Sequence, residues 1–71
     1  MKVSETVELM LKSSEHNPYI GYLSKEDNYK AAIELAELCK DLAENGYDED
    51  VMNLDVTHWN SVIEKLKIDL T

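Results

Sequence analysis

Three residues in this chain could ligate a soft metal or build a thiol–imidazole pair: Cys39, His16 and His58. A zinc site needs three or four such ligands at close spacing, and these three fall in three separate segments. A catalytic Cys/His pair needs an activated thiolate. Cys39 instead shares an apolar arc with Ala36 and Ala43 at helical spacing, the setting of an inert core cysteine. His58 reads as a surface residue early in one helix, and His16 as the end of another. Carboxylates offer a second possibility in the stretch DEDVMNLDVTHW, which begins at Asp48. A calcium-binding helix–loop–helix loop wants oxygen ligands at positions 1, 3 and 5, glycine at 6 and glutamate at 12. Asp48 and Asp50 meet the first two requirements, but Met52, Asn53 and Trp59 fill the others. No metal and no cofactor is expected.

Nucleophilic and phosphate chemistry fare no better. The chain has no glycine-rich phosphate loop, no nucleophile elbow and no candidate oxyanion nest. Its size and acidity invite comparison with acyl carrier proteins, which carry their prosthetic arm on the serine of an Asp-Ser-Leu motif. Asn60-Ser61-Val62 lacks the aspartate and lies near the C-terminal end, within a helical pattern. That family is therefore set aside, and the chain is not expected to be an enzyme.

What remains is a surface. Fifteen aspartates and glutamates against seven lysines, with no arginine, give a formal charge of −8. Phosphate binding needs lysine and arginine to displace counterions, so direct contact with nucleic acid or an anionic membrane is not expected. A basic protein surface is the complementary partner. Glu34, Glu37, Asp41 and Glu44 recur at three- and four-residue spacing, forming a row about 15 Å long on one side of a helix. Lys30 precedes the row and Lys40 flanks it, so compensation is partial, and Asp48, Glu49 and Asp50 continue the acidity beyond. A second candidate is HNPYIGYLS, residues 16–24, which holds two of the four tyrosines, the one proline and one of two glycines. Tyr19, Ile20, Tyr22 and Leu23 are too apolar for a solvated crossing. The stretch is expected to close the end of the core over Tyr29 and Trp59, leaving a tyrosine edge to meet a partner. The candidate partner-binding residues are thus Glu34, Glu37, Asp41, Glu44, Asp48, Glu49, Asp50, Tyr19 and Tyr22.

The elements that position these residues follow from the hydrophobic periodicity. Val3, Val7, Met10 and Leu11 share a face of a first helix over about residues 4–14, with Ser4 as its N-cap and Pro18 beyond its end. Ser24 caps a second helix, with Asp27 three residues on, and Gly46 closes it. From Tyr29 to Ala43 its apolar residues sweep roughly 220° at about 100° per residue. A surface helix shows about half that width, so this one must touch neighbours on two sides or bury its excess in another chain. Val56, Trp59, Val62, Ile63, Leu66 and Leu70 form the stripe of a third helix beginning at Asp55 or Thr57, with Ile68 off the stripe. Leu54 is placed to staple onto Trp59 if Asp55 is the cap. The 71 residues therefore predict a single all-α domain, 1–71, a small three-helix bundle with room for a short helical turn around residues 50–54.

Glu5 and Glu8 interrupt the apolar run at the start, so no signal-peptide core is expected. With one cysteine and no disulfide, a reducing, cytoplasmic setting fits. The expected function is protein binding, as an inhibitor, antitoxin-like neutraliser or regulator docking on a basic, nucleic-acid-binding type of surface. The alternative is a homodimeric structural or regulatory protein with the second helix at the interface. Self-pairing would bring the acidic rows together, so a monomer or weak homodimer is expected.

Overall fold

The computed structural model describes residues 2–46 and 54–71. Three helices, α1 (Val3–Ser14), α2 (Lys25–Glu44) and α3 (Val56–Leu70), pack against one another in every pairing, most extensively α2 with α3. This is the expected small three-helix bundle. The short turn anticipated around residues 50–54 lies almost wholly outside the described residues, as do Asp48, Glu49 and Asp50.

Local chemistry sets the helix ends. The α1 cap is Lys2 rather than Ser4, which lies inside the helix. Lysine has no side-chain acceptor to offer, so the end is held from the other direction. The Glu5 carboxylate accepts from the Lys2 backbone N–H at 2.9 Å, satisfying an orphan donor where the helix dipole favours an anion. Ser24 Oγ accepts from the Asp27 N–H and caps α2 as expected. At its far end the Gly46 N–H returns to the Ala43 carbonyl with φ +84°, the left-handed position that glycine tolerates best. Asp55, not Thr57, caps α3, its Oδ1 accepting from the His58 N–H at 2.8 Å.

Between α1 and α2 the backbone forms a miniature antiparallel hairpin that periodicity did not reveal. Its strands are β1 (His16–Asn17) and β2 (Gly21–Tyr22), with His16 opposite Tyr22 and Asn17 opposite Gly21. Asn17 organises the turn: its Oδ1 accepts from the N–H groups of Tyr19 at 2.8 Å and Ile20 at 3.2 Å. Pro18 supplies a fixed φ inside that turn, and Gly21 takes φ +97° to re-enter the second strand.

The core joins Val7 and Met10 of α1, Ala32, Ile33 and Ala36 of α2, and Trp59, Val62, Ile63 and Leu66 of α3. Alanines on the inward face of α2 let its neighbours approach, and the large side chains of α3 fill the space. Full burial of a side chain such as Leu66 is worth about 1.5–3 kcal/mol. Leu54 packs against this cluster, as a staple before the Asp55 cap should. The Trp59 indole N–H finds no acceptor among the described residues. No helix among those residues is long and apolar enough to cross a membrane.

Candidate functional site

The outer face of α2 carries the acidic row where helical spacing put it. Glu34, Glu37, Asp41 and Glu44 are all exposed. The lysines near them do not neutralise it evenly. Lys30 turns back to Glu26 at 3.1 Å, and Lys40 reaches Glu44 at 3.9 Å. Glu34, Glu37 and Asp41 are left without an ion pair among the described residues. Both α2 pairs span four residues on an exposed helix, where such contacts contribute at most a few tenths of a kcal/mol.

The stretch HNPYIGYLS does not cap the core, and that expectation is corrected. Tyr19 is 95% exposed, Ile20 74% and Tyr22 78%. Trp59 is fully buried by other residues, and Tyr29 packs on the core edge from α2. The reason is geometric. A three-residue connection between paired strands folds back on itself, so the stretch pairs with itself rather than lying across the bundle. His16 and Tyr22 stack edge-to-face, ring centroids 5.1 Å apart, so Tyr22 spends part of its ring on a local neighbour. Tyr19 and Tyr22 are therefore available at the surface, but at the N-terminal end of α2. Glu34 lies about 15 Å further along the axis from Ser24. The structure thus presents the tyrosines and the acidic row as separate patches.

Cys39 stands at the edge of the core rather than within it, packed against the buried cluster but only half-buried. Burial pushes its thiol pKa up, which suppresses the thiolate that nucleophilic chemistry needs. His58 is not the surface residue that its place in the first turn of α3 suggested. Its Nε2 lies 2.7 Å from Oγ1 of the fully buried Thr6, joining α3 to α1. Thr6 Oγ1 also reaches the Lys2 carbonyl at 3.3 Å. Among the described residues, no three His, Cys, Asp or Glu side chains gather to hold a metal ion.

A further feature escaped sequence reasoning: an open groove of about 630 Å³ where α2 meets α3. Glu37 and Lys40 line it from α2; Asn60, Ile63, Glu64, Lys67 and Ile68 line it from α3, with Thr71 just past the helix end. Ile63 forms part of its floor and is nearly buried, whereas Ile68 is 63% exposed. The one signal in the sequence was Ile68, an isoleucine off the α3 core stripe. Glu37 belongs to both the groove and the acidic row, which makes them one continuous surface.

No protein-family model matches this chain, and neither a curated protein nor a solved structure matches it.

Proposed function

We propose that this protein acts by binding another protein, docking the acidic outer face of α2 on a basic surface as an inhibitor, neutraliser or regulator. The observation that carries the reading is the state of the row: Glu34, Glu37 and Asp41 are exposed with no ion pair among the described residues, while Lys30 and Lys40 of the same helix pair with Glu26 and Glu44. Like charges at three- and four-residue spacing repel within the free protein, and a cationic partner relieves that repulsion on docking. The formal charge of −8 extends the attraction beyond the contact itself and steers encounter. Asp48, Glu49 and Asp50, which follow α2 in the chain, add to the same field. Tyr19 and Tyr22 offer a second contact of a different kind, large in apolar area and polar at the tip.

Affinity capture from native extract, followed by kinetics on the captured partner, tests this. The partner should be basic, and its association should slow markedly from low to physiological salt. The double variant Glu37→Lys/Asp41→Lys should lose the partner while keeping its helical circular dichroism. Retention of the partner by that variant would remove the acidic face from the reading.

One observation favours the second reading, a homodimer through α2. Leu38 is 56% exposed and adjoins the half-buried Leu35 and Leu42 on the same helix. A two-fold contact there would pair this patch with itself, and it would also bring the two acidic rows close.

A further inference from the structure

We infer that the α2/α3 groove is a seat for an amphipathic, basic helix of a partner protein, a reading that rests on the acidic docking face proposed above and gives it a shape. The groove runs along the α3 side from Asn60 to Thr71, about 16 Å or three turns, and is closed on its other side by one turn of α2 at Glu37 and Lys40. That length suits a helix laid along it, which would complete a four-helix arrangement. Ile68 is the apolar anchor point: it is largely exposed on the groove wall, above Ile63 on the floor. The charges then dictate the occupant. On the α2 rim, Glu37 sits between Glu34 and Asp41, which lie three and four residues away on the same exposed side. None of the three has an ion pair among the described residues, and neither does Glu64 on the α3 wall. Lysine or arginine along one edge of the partner helix therefore meets carboxylates on this side. Lys40 is drawn to Glu44 at 3.9 Å and does not fill that role. Lys67 lies beside Glu64 on the α3 wall, also without an ion pair among the described residues, so the two offset each other there and the excess of carboxylate lies on the α2 rim. A second copy of this chain fits poorly, because it would bring Glu34, Glu37 and Asp41 against their own counterparts.

The test uses three synthetic peptides about 14 residues long. One carries leucines at helical spacing with lysines on one flank. The second has the same composition scrambled to destroy that spacing, and the third replaces lysine by glutamate. Binding is followed on the whole protein by amide chemical shifts and calorimetry. The amphipathic basic peptide should shift Asn60, Ile63, Lys67 and Ile68. Ile68→Glu should weaken it at least about tenfold, as expected when one isoleucine loses its burial; circular dichroism must show that variant folded, and Ile68→Ala, weakening it less, is the milder companion. The scrambled and acidic peptides should bind far more weakly. Equal binding by the scrambled peptide, or shifts confined to Glu34 and Asp41, would overturn the groove while leaving the acidic docking face standing. Loss of binding in Glu37→Lys/Asp41→Lys with no loss in Ile68→Glu would overturn the groove in the same way. No salt-dependent binding of any basic peptide would count against both. Concentration-dependent sedimentation abolished by Ile68→Glu would put a second copy in the groove and overturn the proposal.

Discussion

Leu66 and Leu35 are both leucines on inward-turned helix faces, yet the packing treats them differently. Leu66 is fully buried, whereas Leu35 is partly buried at the edge of the core. Leu66→Ala should therefore cost about 2–5 kcal/mol, and Leu35→Ala clearly less, as measured by urea unfolding with circular dichroism. In a domain this small the first loss alone takes a large share of total stability. Thr6 and His58 form the other residue-level tie. Thr6→Val keeps the shape but removes the hydroxyl that meets His58 Nε2 and the Lys2 carbonyl, so about 1 kcal/mol should be lost. Cys39 gives a chemical readout. Its folded-state pKa is raised by burial, so less thiolate is present at a given pH than in the unfolded chain. Alkylation by iodoacetamide at mildly alkaline pH should run slower in the folded protein than in urea. The same shift means that the neutral thiol's contribution to stability is fully present below its unfolded pKa. It is lost as pH rises from there through the higher folded pKa.

Among the elements, α2 depends on its two ends and the hairpin on one glycine. Ser24→Ala removes the acceptor for the Asp27 N–H and should cost about 1 kcal/mol. Gly21→Ala places a β-carbon at φ +97°. Open space surrounds that β-carbon, so the cost is backbone strain, about 1–2 kcal/mol, rather than a clash. Replacing Tyr19 by serine should leave thermal unfolding almost unchanged, because the ring touches little of the bundle. A large drop in unfolding temperature for Tyr19→Ser would mean that the hairpin supports the core after all.

For the molecule as a whole, the competition is between the apolar edge of α2 and its acidic outer face. Leu38 lies at the uncovered edge of the arc, and the acidic row opposes bringing two such edges together. Sedimentation at several concentrations should find a monomer or a weak dimer that strengthens with salt, as screening relieves the repulsion. A tight dimer at low salt, dissociated by Leu38→Glu, would instead make the arc the dominant surface.

Much of this architecture was legible in the chain because it rests on local rules. The three- and four-residue recurrence from Val56 to Leu66 sets the buried face of α3, and Ser24, Gly46 and Asp55 mark helix ends through hydrogen bonds made within a few residues. The row Glu34–Glu37–Asp41–Glu44 followed from helical geometry alone, since a polar face needs no partner to be exposed. Even Leu38 was foreseeable at the margin, because two short helices cannot cover a 220° arc, itself roughly estimated from 100° per residue. Residues far apart in sequence required the tertiary structure. Thr6 and His58 meet across 52 positions, and each reads as an ordinary polar residue until α1 and α3 are docked. The groove exists only because α2 and α3 pack side by side, bringing Glu37 to the same surface as Ile68. HNPYIGYLS departs from its expected place for the same reason: its composition argues for burial, but the Asn17 turn and the Gly21 backbone send its tip outward. Composition sets what burial a residue favours; only the path of the chain decides whether there is a core within reach.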